Sequence, residues 1–313
     1  MIIGHQKQWQ YLSKSAETNR LSHAYLFFGQ SLLGKKTLAM EFIKLLFCQR
    51  AKEGKPCQAC LHCKQIQRGI HPDLFLVKPQ GKDIKISQIR EISWKLSLRP
   101  HSAPFKTVII DEAHYMNPEA QSCFLKTLEE PRGKAVLILI SENPGFIFQT
   151  ILSRVQKIRF SPVPKSEIEN YLRNQGLASK EIQKIISFSF GKPGLVIDFL
   201  SNPQKLEERN QRLKELANLI NADFGLRFKY VKDIISQNQN LKEILEIWLR
   251  YLRYILINRL VAFPDYNLPA QNLSQYPMDK IKKIIKVIEK IDFLIANTNI
   301  NQRLALDQLM LEL

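Results

Sequence analysis

The sequence contains no apolar run long enough to cross a membrane. Although 45% of its 313 residues are hydrophobic, no stretch approaches the roughly 18 consecutive apolar residues that a spanning helix requires. The N-terminus also lacks a hydrophobic segment followed by a small-residue cleavage site, as a secretory signal would have. We therefore expect a soluble, cytoplasmic protein, long enough to form two or three domains with cores of their own.

Acidic residues are scarce relative to basic ones. The chain has 46 Lys and Arg against 29 Asp and Glu, a net charge of +17. Residues 1–205 carry 30 basic and 16 acidic residues (+14), whereas residues 206–313 carry 16 and 13 (+3). A basic surface of this kind suits nucleic acid, but a lysine-rich proteome or an acidic protein partner would give the same composition.

Cysteine is also rare, and four of the five cysteines are clustered. They are separated by eight, two and two residues in a polar stretch that contains Gly54 and Pro56, and they are Cys48, Cys57, Cys60 and Cys63. Because a reducing cytoplasm disfavours disulfides, clustered thiols indicate a metal site. Four thiolates at this spacing fit tetrahedral Zn²⁺, and the site is predicted to be structural because protein fills all four positions.

Three further side chains are weighed as ligands. His62 and His71 could each replace one thiolate, but the complete set of four cysteines favours solvated histidines. Cys123 follows in a different predicted helix, where it is interpreted as a small buried hydrophobe.

A glycine loop follows the first predicted strand. The run from His23 to Phe28 predicts a buried strand, the segment 29–37 reads GQSLLGKKT, and apolar residues at helical spacing come next. Strand, glycine loop and helix form the context of a P-loop. Gly29 and Gly34 would let backbone amides surround a phosphate, and Lys35 would add its ammonium group. The alternative is an ordinary glycine-rich turn between a strand and a helix.

One position of this loop departs from the P-loop pattern. The pattern requires Ser or Thr directly after the lysine as a Mg²⁺ ligand, but Lys36 stands there, and Thr37 follows one step later, about 100° around the helix. Because a cation does not coordinate Mg²⁺, the sequence predicts a degenerate nucleotide site that binds ATP and Mg²⁺ poorly.

Two predicted strands end in polar residues. The run 108–110 stops at Asp111 and Glu112, a Walker B pattern in which acids at the carboxyl edge of a sheet hold Mg²⁺ and orient a water. The run 135–140 is followed by Ser141, Glu142 and Asn143. These residues would form either a γ-phosphate sensor at the same edge or a helix-capping turn before Pro144.

The remaining pattern predicts an α/β fold followed by helices. A parallel sheet of the P-loop type is predicted for residues 1–162, with a zinc-binding insertion at 48–63, and Pro162 and Pro164 mark a linker. Three short helices in 163–204 would form a small helical lid. Residues 205–313 are predicted to be all-helical, with a proline-rich break at 263–277 before helices at 281–295 and 301–313. The predicted amphipathic helix of the first domain runs from Ile84 to Leu98.

Five features in this order resemble the bacterial DNA polymerase III clamp-loader subunits of the AAA+ family. They are HAYLF before the glycine loop, the four-cysteine insertion, VIIDEAH, LKTLEEP and TILSR, and the resemblance as a whole covers residues 1 to about 200. The resemblance implies a RecA-like AAA+ domain, a lid, and a collar domain that closes five subunits into a ring. It also implies partners: the gamma/tau and delta subunits in a heteropentamer, the sliding clamp indirectly, and primed DNA.

Within that family the sequence is more similar to the delta-prime subunit than to the ATP-hydrolysing gamma/tau subunit. Lys36 replaces the Mg²⁺ ligand, and Gly194 occupies the place of a phosphate-sensing arginine. We also expect the chain to lack the long C-terminal extension of tau. An active gamma/tau-like ATPase remains the alternative, because both Walker B acids are present. The DEAH letters also spell a helicase signature, but no element of a second motor domain follows residue 160.

The resemblance also implies roles for single residues. Arg154, at the end of TILSR, would be an arginine finger that acts in trans on a neighbour's ATP. Alternatively it is a surface residue paired with Glu129, Glu130 or Glu142. In the third domain, the candidates for a subunit interface are Trp248, Tyr251 and Tyr254, which could equally belong to that domain's own core.

Overall fold

The computed structural model describes residues 2–130, 134–237, 239–261, 277–297 and 300–313. The chain divides into two compact units. The first comprises residues 1–177 and 189–196, and the second comprises residues 178–188 and 197–313. No helix in these described ranges is both long and apolar enough to span a membrane.

A five-stranded parallel sheet forms the centre of the first unit. Its strands lie in the order β2-β3-β4-β1-β5. In chain order they are β1 (Ala24–Phe28), β2 (Leu74–Val77), β3 (Lys106–Ile110), β4 (Ala135–Ser141) and β5 (Gln156–Arg159). The three central strands, β3, β4 and β1, are buried along nearly all of their length because helices cover both faces of the sheet. The predicted α/β class with a parallel sheet is confirmed.

Helices pack against both faces of this sheet. In chain order the α-helices up to residue 174 are α1 (Gln6–Glu17), α2 (Lys35–Phe47), α3 (Leu61–Arg68), α4 (Ile86–Ser97), α5 (Pro118–Glu129), α6 (Gln149–Leu152) and α7 (Lys165–Asn174). Alternate strand side chains point to opposite faces, so two cores form. Leu26 and Val108 pack with α4 and α5 on one side, and Phe27 and Ile109 pack with α1 and α2 on the other.

The predicted helix at Ile84 begins two residues late. Ile84 is extended and forms a β-bridge with Met116, in which its N–H donates to the Tyr115 carbonyl at 2.8 Å. Helix α4 starts after Lys85, whose N–H donates to the Gln88 side chain at 3.0 Å. Ile84 therefore fits the apolar spacing of the helix but is buried by a strand-like pairing.

The second unit is helical throughout its described residues. Its helices, some of which extend into the first unit's ranges, are α8 (Ser179–Ser189), α9 (Pro193–Ser201), α10 (Pro203–Ile220), α11 (Phe224–Ser236), α12 (Leu241–Val261), α13 (Met278–Asn297) and α14 (Gln302–Glu312). The helices predicted at 281–295 and 301–313 correspond to α13 and α14. The predicted break at 263–277 lies outside the described residues, except for Pro277. The division into domains at 162 and 204 stays a prediction.

The aromatic residues proposed for a subunit interface lie mostly inside the second unit. Trp248 is 1% exposed and Tyr251 is 2% exposed. The indole N–H of Trp248 donates to the Arg212 carbonyl at 3.0 Å, and its ring stacks on Tyr230. Tyr254 is half-buried. Trp248 and Tyr251 therefore belong to the core of this unit, and the interface interpretation is wrong for these two residues.

Candidate nucleotide site and metal centre

The glycine loop lies between β1 and α2, at the carboxyl edge of the sheet. Gly34 has a φ of 84°, a left-handed conformation that favours glycine. Gly29 lies so close to Phe160, the residue after β5, that a Cβ atom there would be 2.3 Å from the Phe160 carbonyl oxygen. Both glycines of the predicted P-loop are thus required by backbone geometry and close approach.

The ammonium group of Lys35 is directed at the loop itself. Lys35 is the first residue of α2 and is 6% exposed. Its Nζ donates to the carbonyls of Gly29 at 2.6 Å and Gln30 at 2.5 Å. Burial lowers the pKa of Lys35, although the nearby carboxylates of Glu142 and Asp111 act in the opposite direction. This lysine therefore satisfies loop carbonyls of its own chain.

Lys36 pairs with the first Walker B acid. Its Nζ lies 2.9 Å from Oδ2 of Asp111, while Thr37 is exposed to solvent. In P-loop proteins the residue at the position of Lys36 and the Walker B acid together hold Mg²⁺. Here the two positions are joined by an ion pair, so these residues do not fit a bound Mg²⁺ ion, and the degenerate nucleotide site remains a prediction.

Two more contacts hold the middle of the glycine loop. The N–H of Gly194 donates to the Leu32 carbonyl at 2.8 Å, and a Cβ atom on Gly194 would lie 2.9 to 3.1 Å from Leu32 atoms. His5 makes a 2.8 Å hydrogen bond from Nε2 to the Leu33 carbonyl. Because a carbonyl only accepts, His5 must carry a proton on Nε2. Four loop carbonyls are therefore bonded within the chain.

The other predicted polar residues lie at the same sheet edge. Glu112 is exposed and has a φ of 56°, in the left-handed region. Ser141 is the last residue of β4 and is buried, and its carbonyl accepts from the Gly29 N–H at 3.2 Å. Asn143 precedes a 3₁₀ turn (Pro144–Phe146) but makes no side-chain capping hydrogen bond. The predicted capping turn is nevertheless present, since the Asn143 backbone carbonyl accepts from the Phe146 N–H at 3.2 Å, and the γ-phosphate sensor remains a prediction.

Sequence reasoning missed two histidines at this edge. His5 packs on Phe160, with ring centroids 4.7 Å apart, while it holds Leu33. His114 lies 3.5 Å from the Ser141 hydroxyl, and burial lowers its pKa, with Glu112 opposing and Lys35 adding to the shift. The DEAH run contained His114 but pointed to a different class of protein, and a single histidine such as His5 gave no signal.

The four clustered cysteines converge on one point. Their Sγ atoms all lie within 4.8 Å of one another, whereas a tetrahedral Zn²⁺ with Zn–S bonds of about 2.3 Å needs sulfurs about 3.8 Å apart. Backbone N–H groups donate to Sγ of Cys48 at 3.2 Å and of Cys57 at 3.3 Å. Hydrogen bonds from the backbone of Ala59 and Cys60 lower the pKa of Cys57 to about 6. The donor set therefore suits a thiolate-binding metal.

The prediction that His62 and His71 are solvated is wrong. Both are buried, and Nδ1 of His62 lies 2.8 Å from Nε2 of His71. The N–H of Asp73 donates to Nδ1 of His71 at 3.1 Å, and Phe47 packs against both rings. Helix α3 buries the face that carries His62. The polar composition of this stretch therefore did not predict that the side chain is buried. Cys123 is half-buried against the core under α4 and α5, close to its predicted environment.

Arg154 lies just after α6, outside the glycine loop. Its Nη2 is 2.9 Å from Oε1 of Glu129, and its Nη1 donates to the Thr150 carbonyl at 3.0 Å. The side chain is 38% exposed. Of the three acids proposed as surface partners, Glu129 is the one that pairs with Arg154, and the role as an arginine finger remains a prediction.

The sheet order, the glycine loop after β1 and the acids after β3 define a P-loop protein of the AAA+ class. The family model described as "DNA polymerase III, delta subunit" matches residues 4–164. DNA polymerase III subunit delta' of Bacillus subtilis is 33% identical over 222 residues, which cover 71% of this chain and 67% of that protein. The chain belongs to the DNA polymerase III delta' family, which confirms the predicted resemblance.

Relatives with other names also match. DNA polymerase III subunit tau of Bacillus subtilis is 32% identical over 167 residues, covering 53% of this chain and 30% of tau. A crystal structure of a DNA polymerase III gamma subunit-related protein from Thermotoga maritima is 19% identical, with a TM-score of 0.58 and 97% of each chain covered. That likeness shows a shared fold over nearly the whole chain.

Proposed function

We propose that this chain is a delta'-like subunit of a DNA polymerase III clamp loader. It would assemble with gamma/tau and delta subunits into a heteropentamer in the bacterial cytoplasm and help to place the sliding clamp on primed DNA. Within that ring it acts as a largely non-hydrolysing arm. The ion pair between Lys36 and Asp111 carries this proposal, because it joins the two positions that would otherwise hold Mg²⁺.

The rest of the glycine loop supports the same conclusion. Lys35 is bonded to loop carbonyls, and Gly194 at the start of α9 offers no side chain to a phosphate and packs directly on Leu32. Phosphoryl transfer depends on positioned cations around the phosphates. A loop whose cations and carbonyls are bonded to each other is poorly prepared for that task.

A steady-state ATPase assay on the isolated chain tests this proposal. We expect no turnover above background, with or without Mg²⁺ and DNA. The matched variant is Lys35→Ala, which removes the P-loop lysine. Turnover that is present in the natural chain and lost in this variant would overturn the proposal. Copurification with the other DNA polymerase III subunits tests the assembly separately.

The alternative is an ATP-hydrolysing, gamma/tau-like subunit. Asp111 and Glu112 both stand at the end of β3, where an active site would need them. The match to tau of Bacillus subtilis also favours this alternative. The ATPase assay distinguishes the two, because only the alternative requires turnover by this chain.

Arg154 would act on a neighbouring subunit's ATP. Phosphoryl transfer spreads negative charge over the γ-oxygens, and an arginine delivered in trans raises the rate by roughly 10³ to 10⁵ in known systems. The pair with Glu129 is solvent-exposed and is worth about 0 to 1 kcal/mol, so a phosphate could replace the carboxylate at little cost. The ATPase rate of the assembled complex is the measurement that tests this role.

Zinc is the metal that we propose for the cysteine cluster. Four thiolate donors and no open position are typical of structural zinc sites, and the cluster links the end of α2 to α3. In this role the metal organises an insertion that has few apolar contacts of its own.

A further inference from the structure

The insertion that carries the four cysteines has an unbalanced charge. We call residues 48–70 the cysteine knuckle. It contains one acidic residue, Glu53, and five exposed basic residues: Arg50, Lys52, Lys55, Lys64 and Arg68. Among the residues that the structure describes, no ion pair involves any of these five cations.

Two acids near the knuckle do not balance these cations. Glu41 is already bonded to Lys44 and to Gln58. The carboxylate of Glu17 lies beside Gly54 without forming an ion pair with a knuckle cation. The excess positive charge is therefore presented to solvent.

Two of the cations face each other across a tight turn. Lys52 and Lys55 exchange backbone hydrogen bonds of 3.1 and 2.9 Å, and the two residues between them have left-handed φ angles of 50° and 67°. Like charges directly opposite in an antiparallel pair are destabilising. The folded turn thus brings two like charges together, and an anionic ligand would offset their repulsion.

Two other cations lie on the exposed side of α3. Lys64 and Arg68 are four residues apart and therefore share one face of the helix, opposite the buried Cys63 and Ile66. Leu61 continues this face and is 65% exposed. The helix thus presents a basic stripe while its inner face contributes to the cysteine cluster.

The composition of this surface favours nucleic acid over a protein partner. Protein interfaces are depleted of charged residues at their centre and enriched in aromatic ones, and the knuckle has no aromatic residue besides the buried His62. Phosphate backbones, in contrast, are bound by clustered Lys and Arg without a large apolar core. We propose that the cysteine knuckle binds the phosphate backbone of DNA through Lys52, Lys55, Lys64 and Arg68.

This contact would be independent of base sequence and sensitive to salt. It goes beyond the proposed function and can be measured on the isolated, zinc-containing full chain, so the result does not depend on assembly with other subunits. The probe is a fluorescein-labelled DNA duplex of random sequence, followed by anisotropy from about 50 to 200 mM salt. The test variant is Lys64→Glu with Arg68→Glu, and the matched control is Lys180→Glu with Lys184→Glu on α8, where both lysines are exposed.

We expect the knuckle variant to lose at least about tenfold in affinity and its salt dependence to become shallower by about two units, one for each lost phosphate contact. The control should bind like the natural chain. Equal losses in both variants, or no loss in either, would overturn the proposal, as would equally strong competition by polyglutamate. Unchanged zinc content and an unchanged circular dichroism spectrum show that each variant is folded. If the glutamate variant of the knuckle does not fold, the milder Lys64→Gln with Arg68→Gln is tested in its place.

Discussion

Adjacent residues at the start of α2 contact different partners because a helix turns about 100° per residue. Lys35 points back to the loop, Lys36 reaches Asp111 on β3, and Thr37 faces solvent. A hydroxyl one position later than the P-loop pattern requires is therefore on the wrong side of the helix. The displaced position of Thr37 could be predicted from sequence because it depends on local helix geometry, whereas the degenerate nucleotide site itself remains a prediction.

The close approach of Gly194 to Leu32 leads to a stability prediction. Gly194→Ala would put a methyl group within 2.9 to 3.1 Å of Leu32 atoms, including its backbone, and we expect a loss of about 1 to 3 kcal/mol. Gly145→Ala is the matched control, since nothing lies within 4 Å of a Cβ atom there. Urea unfolding of both variants measures the difference. If the two variants were equally stable, α9 would not pack on the glycine loop in this way.

His5 should make stability depend on pH. Burial lowers the pKa of His5 below its ordinary value of 6.5, so below pH 6.5 the unfolded chain binds a proton more readily than the folded chain does. The contribution of His5 to stability is thus present in full above pH 6.5 and is lost as the pH falls below that value. His5→Phe keeps a ring against Phe160 but removes this titration. In urea unfolding at neutral pH and at about pH 5.5, we expect the variant to lose less stability on acidification than the natural chain.

The comparison of His5→Phe with the natural chain also tests the hydrogen bond from His5 to Leu33. At neutral pH, His5→Phe leaves the Leu33 carbonyl without its donor, which should cost about 1 to 3 kcal/mol. An identical acid-induced loss in variant and natural chain would show that His5 titrates normally. The hydrogen bond between His5 and Leu33 joins residues 28 positions apart, and no local sequence pattern predicts it.

At the level of elements, the strands were the most predictable part of the chain. Parallel strands buried on both faces read as continuous apolar runs, and each predicted run overlaps an observed strand, such as 135–140 with β4. Two of the errors share one cause. Ile84 and His62 both satisfy a local pattern, but a distant partner decides their place: Met116 for Ile84 and His71 for His62. Sequence periodicity contains no information about such partners.

The cysteine knuckle allows a metal prediction with a matched control. Chain purified without chelator should contain about one zinc, and Cys60→Ser should lose the metal and the stability that it supplies, on the order of 10 kcal/mol of local folding. Cys123→Ser, which changes a cysteine outside the cluster, should keep both. Metal analysis and thermal unfolding of the two variants provide the test. Full zinc content in the Cys60 variant would refute the four-cysteine site.

At the level of the whole molecule, the residues of functional interest are concentrated in the first unit. The glycine loop, the cysteine knuckle and Arg154 all lie within residues 1–177. The loop's contacts are internal, whereas the knuckle cations and Arg154 are exposed. The proposed action of Arg154 in trans requires this exposure, and that role remains a prediction.

The last prediction concerns that arginine in the assembled complex. Arg154→Ala should leave folding, zinc content and subunit assembly intact, since its pair with Glu129 is exposed and worth at most about 1 kcal/mol. It should nevertheless lower clamp loading and the DNA-stimulated ATPase rate. At the site that receives the finger, we expect the rate of ATP hydrolysis to fall by roughly 10³-fold or more. Other subunits with intact sites of their own would keep the total rate above zero.

Arg173→Ala is the matched control for this experiment. Arg173 is also an exposed arginine of the first unit and pairs with Glu169 at 2.7 Å, so the control removes the same side chain and the same kind of ion pair. If only the complex with Arg154→Ala loses ATPase activity, the loss is due to the location of Arg154 and not to the removal of one positive charge. Unchanged ATPase and loading with Arg154→Ala would mean that Arg154 is the surface residue of the alternative interpretation. An equal loss in both complexes would mean that the ATPase rate depends on the net charge of the first unit and that Arg154 is not an arginine finger.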